Sequence, residues 1–331
     1  MLAFRIFGDA GFADKMKAVP EDDEGVNLAV LRRGLEESEK EARRNGADRP
    51  MYKPERKRAK VYKHVLYCVP TFSNPSSRTM SLEHRTELVK IARVYDMLLV
   101  ADDVYDFLQW PADISTDRPL DAEMQVAHLP RLVDIDRDLE GGAERKGADG
   151  FGNACANGSF SKIVEPGVRV GGTTASGGAP YLTTLLASGN LATHINNTLR
   201  PGYAALYRVL HSAMTQHLLP LGFKLSQTDR KIFGGYFVWL SLPKSLSADV
   251  LARMCRDEAG VIVAPGGIFE VPSNEKVAFD GFVRLCFAWE EEGRSEGGVK
   301  RIGEVAKSML DGGDEPVRSF TADRGALDAF K

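Results

Sequence analysis

Two short apolar runs on either side of an amphipathic segment constrain this chain most. His64–Val69 (HVLYCV) is rich in β-formers and stops at Pro70, which reads as a buried strand. Met97–Ala101 (MLLVA) is continuous and apolar, as strands of a parallel sheet covered on both faces are. Between them, Ser81 is placed to cap a helix reaching Tyr95. Leu82, Leu88, Ile91 and Ala92 recur at helical spacing along it. Strand, helix, strand is the repeating unit of an open α/β sheet, so the spacing predicts the α/β class. In such sheets ligands sit beyond the carboxyl ends of the strands, which directs attention to the residues that follow each run.

The remaining chain extends the pattern. Ala154–Asn157 and Val170–Ser176 are weaker strand candidates. Leu182 to about Leu219 is helical, with a break expected at Arg200-Pro201-Gly202. Strands are expected at Tyr236–Leu240, Gly260–Val263 and Val283–Phe287, with helices at Ala248–Cys255 and near Gly297–Leu310. From Trp110 to Gly152 runs a polar, irregular stretch that includes LEGGAERKGADGFG. A chain of 331 residues exceeds what one core usually serves. Two units are therefore expected, 1–200 and a smaller one at 201–311, followed by a loose tail at 312–331. There is no internal repeat.

Several function classes recede on composition. A net charge of −3 gives no steering toward nucleic acid or anionic membrane. The basic segment Lys53–Lys63 (KPERKRAKVYK) reads as a solvated surface stretch. No apolar run approaches the roughly 20 residues of a membrane span. The N-terminal MLAFRIFGDAGF lacks the form of a secretory signal. Cysteines 68, 155, 255 and 286 form no disulfide or zinc pattern. Cys68, Cys155 and Cys286 fall in apolar runs and read as small buried hydrophobes. The histidines have no metal-ligand spacing, so no metal is expected. Glu290-Glu291-Glu292 reads as a solvated helix start. The cytoplasm is the expected compartment.

Four features at strand ends have chemical content. Ser159 and Ser161 flank Phe160 just before Lys162, and Arg169 follows. Hydroxyls and a guanidinium fork suit a phosphate monoester, and a lysine beside them suits imine formation. The same residues also fit a surface turn with a solvated lysine. Asp102 follows the second strand directly and can pair with a heterocyclic nitrogen. Alternatively Asp102 or Asp103 caps a helix, as aspartates after such strands often do. Asn74 lies in the turn Pro70–Pro75 after the first strand. Arg284 sits among five apolar neighbours in FVRLCF, where burial demands an anionic partner, either a structural carboxylate or a substrate's.

In their order, PTFSNPSSRTM, ADDVYDFL, NGSFSKIVEPGVRVG, GGYFVWLSLP, VAPGGIF and VRLCFAW resemble the class I/II aminotransferases of the fold-type-I pyridoxal-phosphate enzymes. The resemblance runs to about Leu310 and is closest to the fungal aromatic and 2-aminoadipate aminotransferase group. It implies a large domain with a mixed, mostly parallel sheet, a smaller α+β C-terminal domain, and pyridoxal 5'-phosphate as cofactor. It implies an aldimine on Lys162 and pairing of Asp102 with the ring nitrogen. Asn74 and Tyr105 would hydrogen-bond the ring oxygen. Ser159, Ser161 and Arg169 would bind the phosphate, and Arg284 the substrate carboxylate, with Asn74 beside it. The substrates implied are an amino acid and a 2-oxo acid, with no nucleic acid or membrane partner.

Two departures bear on these expectations. Where the family has threonine and glycine after Asn-Pro, this chain has Ser76 and Ser77, which strains the turn if a positive φ is needed. The family also carries a phosphate-binding loop and a ring-stacking aromatic ahead of the first matching segment. No stretch before Thr71 matches either, so the expectation is of an N-terminally incomplete large domain, with a homodimer once those elements are restored. A degenerate member with weak cofactor binding and a lyase of the same fold are the alternatives. A ligand-sensing regulator would carry a helix-turn-helix segment, and none is seen.

Overall fold

The computed structural model describes residues 2–46, 60–111, 129–148, 150–164, 179–226, 232–272 and 278–312. A short helix, Leu2–Phe7, comes first, then a two-residue hairpin of β1 (Glu21–Asp22) and β2 (Gly25–Val26). Asn27 caps the next helix, Leu28–Arg44, by accepting from the Val30 amide at 3.0 Å. β3 (His64–Cys68), the helix Leu82–Val94 and β4 (Met97–Asp102) then form the expected unit. Ser81 caps that helix, accepting from the His84 amide.

After β5 (Gln109–Pro111), β6 (Ala154–Asn157) completes a parallel sheet in the order β3-β4-β6. Tyr67 pairs with Val100 in register, and Asp102 with Asn157. Met97, Leu99 and Ala101 alternate onto one fully buried face of β4, against Leu88, Ile91 and Ala92 of the covering helix. The other face of β4 is only half-buried among the described residues, so the continuous apolar run overstated its coverage.

The polar stretch expected to be irregular contains a helix, Leu132–Asp138. Leu132 and Ile135 enter the same core, and Arg93 of the neighbouring helix pairs with Asp136 at 2.8 Å. Neither Asp102 nor Asp103 caps a helix. Asp102 closes β4, and the chain turns back at 104–107 into β5, because Leu108 and Trp110 must be buried.

The C-terminal part is an antiparallel sheet flanked by long helices. β7 (Lys224–Leu225), β9 (Phe237–Ser241), β10 (Ala264–Pro265) and β11 (Phe282–Cys286) run in the order β10-β11-β9-β7. β8 (Ile232–Gly234) pairs instead with β5, and Trp110 of β5 is buried against Tyr207, Phe233 and Phe287. The helices Arg200–His217, Ala248–Ala259 and Glu292–Asp311 supply the rest of this core.

The helix break falls elsewhere than at Arg200. Helical structure runs unbroken from Asn190 through a π-helical turn, Ile195–Leu199, into Arg200–His217. Pro201 is accommodated because it directly follows the π-helical turn, where the Arg200 amide already bonds to the Ile195 carbonyl and the regular i→i−4 ladder is interrupted. The interruption is at Ser188–Gly189, with Gly189 at φ 73°. The strand expected at Gly260–Val263 is absent: Gly260 ends the preceding helix in the left-handed conformation, and pairing begins at Ala264. Cys155 and Cys286 are exposed rather than buried, and all four cysteines are free. The candidate strand Val170–Ser176 lies outside the described residues, and so do 313–331 of the tail.

Candidate active site

The carboxyl ends of β3, β4 and β6 bring Tyr67, Asp102 and Asn157 side by side. The Tyr67 hydroxyl donates to Asp102 Oδ2 at 2.6 Å, and Asn157 Nδ2 donates to Oδ1 at 2.9 Å. Both carboxylate oxygens thus have a donor, and each retains lone-pair capacity for a further one.

Lys162 follows β6 in a turn whose Ile163 is buried. Its Nζ lies 5.1 Å from the Tyr236 ring centroid and 6.0 Å from that of Tyr105. Burial lowers its pKa, and the nearby Arg284 charge acts in the same direction. The Lys162 carbonyl accepts a 2.8 Å bond from the Tyr236 hydroxyl, which also meets the Tyr203 hydroxyl at 3.1 Å. On the same turn, Ser159 Oγ donates to Ser161 Oγ at 2.9 Å and accepts from the Ser161 amide at 3.1 Å, so the two hydroxyls are clustered. Arg169 lies outside the described residues.

The turn after β3 carries Asn74, whose Oδ1 accepts from Arg284 Nη1 at 2.7 Å across 210 residues of sequence. The Arg284 guanidinium carbon sits 3.9 Å from the Phe237 centroid and 4.7 Å from that of Phe269. Its Nε is buried without a hydrogen-bond partner, and no carboxylate pairs with it among the described residues. Desolvation lowers its pKa, as expected for a cation in an aromatic slot. The buried Tyr105 packs edge-on against Tyr236 and Phe237, and burial raises the pKa of its phenol. Ser77 has φ 60°, as the missing glycine foretold, and its hydroxyl donates to the Phe237 carbonyl at 2.6 Å.

The structure therefore brings Asn74, Asp102, Tyr105, Ser159, Ser161, Lys162 and Arg284 to one region spanning the two sheets. Sequence reasoning missed Tyr67, Asn157, Tyr236, Phe237 and Phe269. Two carried a usable signal: Tyr67 is the one hydroxyl in an apolar strand, and Asn157 ends its strand beside the lysine turn. Among the described residues no helix is long and apolar enough to cross a membrane, and no His, Cys, Asp or Glu group suits a metal ion.

Comparison with known proteins identifies the family. A family model described as aminotransferase class I and II matches residues 15–302. An uncharacterized protein of Saccharomyces cerevisiae is 34% identical over 326 residues, covering 91% of this chain and 69% of its own length. An aromatic-amino-acid aminotransferase of Thermococcus litoralis is 25% identical, covering 88% of this chain and 61% of its own. The crystal structure of a kynurenine aminotransferase from Pyrococcus horikoshii, complexed with PMP, superposes with a TM-score of 0.61. It is 24% identical and covers 88% of this chain and 63% of its own. The chain thus spans 61–69% of the length of these relatives. With the family model matching most of its residues, the chain belongs to the class I and II aminotransferases, a family whose cofactor is pyridoxal phosphate.

Proposed function

We propose that this chain moves an amino group between an L-amino acid and a 2-oxo acid, with pyridoxal phosphate held on Lys162. The observation that carries the reading is Arg284. A half-buried guanidinium whose Nε is fully buried and unbonded, with aromatic rings on two sides and no carboxylate partner among the described residues, is costly unless it awaits an anion. Its edge, shared with Asn74, suits the planar carboxylate of an amino acid.

The donor set suits the cofactor. Asp102 is the carboxylate for the ring nitrogen. Asn74 and Tyr105 are the partners of the ring oxygen. The paired hydroxyls of Ser159 and Ser161, with Arg169 beyond the described residues, serve the phosphate. When bound, the cofactor supplies an electron sink for the charge that develops at the substrate Cα. Lys162 Nζ, made less basic by burial, is the base that takes the Cα proton and, as ammonium, would deliver it to the cofactor carbon that accepts the amino group. Arg284 and Asn74 fix the substrate by its carboxylate, and Tyr105 and Tyr236 exclude water around Nζ.

Aromatic amino acids are the first donors to assay, given the rings of Phe237 and Phe269 beside Arg284 and the name of the Thermococcus relative. A homodimer and a cytoplasmic location belong to the same proposal, the second supported by the four free thiols. The test adds pyridoxal phosphate to the purified chain and records its visible absorption. A shifted band that disappears in Lys162→Ala, with transfer of the amino group to 2-oxoglutarate, is expected. A band that persists in Lys162→Ala, or elimination products in place of transfer, refutes the proposal.

A further inference from the structure

The carboxylate of Asp102 does not stand alone at the end of β4. Tyr67 lies two residues earlier in the sheet register, paired with Val100, so its long side chain reaches forward along the strands to Oδ2. Asn157 lies directly opposite Asp102 on the other neighbouring strand and takes Oδ1. The carboxylate plane is thus set by one donor from each flanking strand. The Tyr67 ring is itself held, with Phe7 of the first helix edge-on to it at 6.2 Å and 71°. Burial and the Asp102 charge push its phenol far above the ordinary range, so the hydroxyl remains a donor at every working pH.

We propose that Tyr67 is a positioning residue for Asp102, fixing the carboxylate so that its free lone pair meets the protonated ring nitrogen of the cofactor. The inference rests on the reading of Asp102 as ring partner. A bound proton on a heterocycle is best held by an acceptor whose direction is set beforehand, because no orientation is then lost on binding. The hydroxyl occupies one lone pair of Oδ2 and leaves capacity on the half-buried carboxylate for a further donor. Asn157 is exposed, so water can replace it, whereas the Tyr67 bond is part-buried and water replaces it less readily.

The test compares dissociation constants for pyridoxal phosphate and for its deaza analogue, in which carbon replaces the ring nitrogen, in the unsubstituted chain, Tyr67→Phe and Asp102→Asn. Tyr67→Phe removes one oxygen and no packing atom of the ring, and matched circular dichroism confirms its fold. Loss of a charge-assisted bond predicts roughly tenfold weaker binding of pyridoxal phosphate by Tyr67→Phe, and less than about twofold for the analogue. Equal loss for both ligands, or loss for neither, overturns the proposal while leaving the Asp102 reading intact, provided Asp102→Asn discriminates between them. If Asp102→Asn does not discriminate, the Asp102 reading fails and takes the proposal with it. Binding of neither ligand by the unsubstituted chain overturns both. If Tyr67→Phe does not fold, Tyr67→His keeps a ring donor and Tyr67→Leu does not; the histidine variant must discriminate between the ligands better than the leucine variant, and equal behaviour overturns the proposal.

Discussion

Replacing Ser77 with glycine and, separately, with alanine separates two effects that the native serine combines. Ser77 sits at φ 60°, where a side chain costs about 1–2 kcal/mol that glycine does not incur. Its hydroxyl donates to the Phe237 carbonyl at 2.6 Å, a bond contributing about 0.5–1.5 kcal/mol. Ser77→Ala keeps the backbone strain and loses the bond, so it is expected to destabilise by about 1 kcal/mol. Ser77→Gly loses the same bond and relieves the strain, offset by about 0.5–1 kcal/mol of extra chain entropy in the unfolded state. The glycine variant should therefore be more stable than the alanine variant by roughly 0.5–1 kcal/mol, and close to the native chain. Urea unfolding followed by tryptophan fluorescence at one temperature measures the ordering. An alanine variant as stable as the glycine variant refutes the strain argument, and an unchanged alanine variant refutes the value assigned to the hydroxyl.

Arg284→Lys keeps the charge and loses the fork, so kcat/KM for the amino acid is expected to fall about a hundredfold, read by initial rates across substrate concentrations. Asp103 is buried with neither oxygen bonded among the described residues. Burial, then the Asp106 charge, raises its pKa to about 7. In the pH range between its ordinary value and 7 the folded chain binds the extra proton, so stability falls as pH rises through that window. Asp103→Asn should accordingly stabilise the chain at pH 8 and do nothing at pH 4, as chemical denaturation at the two pH values will show. Lys162 has the opposite sign, because burial lowers its pKa from an ordinary 10.5 and the unfolded chain binds the extra proton. Lys162→Met in cofactor-free protein should raise the melting temperature at pH 7, with the gain shrinking as pH approaches 10.5. A gain independent of pH would count against a desolvated ammonium.

The parallel sheet and its carboxyl edge were legible because β3 and β4 are apolar runs with a helical stripe between them. The rule that ligands lie beyond strand carboxyl ends then reached Asn74, Asp102 and Lys162 with no structure in hand. Arg284 was legible for the opposite reason, as the one residue that contradicts its surroundings. Tyr67 was passed over because tyrosine suits an apolar strand, although its hydroxyl, the one in that strand, was a signal to follow. Pro201 misled because a proline reads as a break, whereas here a π-helical turn just before it absorbs the missing hydrogen bond. What no local pattern carries is the set of ties between distant segments. Asn74 meets Arg284 over 210 residues, Ser77 meets Phe237 over 160, and Tyr236 meets Lys162 over 74. All three end on β9, β11 or the approach to β9, and all three begin on a turn that carries or adjoins a site residue. The antiparallel sheet therefore acts as the gauge for the parallel one. A shift of β9 moves the Ser77 turn, the lysine turn and the phenylalanine beneath Arg284 together. Substitutions in β9 that spare every site residue should for that reason disturb carboxylate binding and lysine position jointly rather than one at a time.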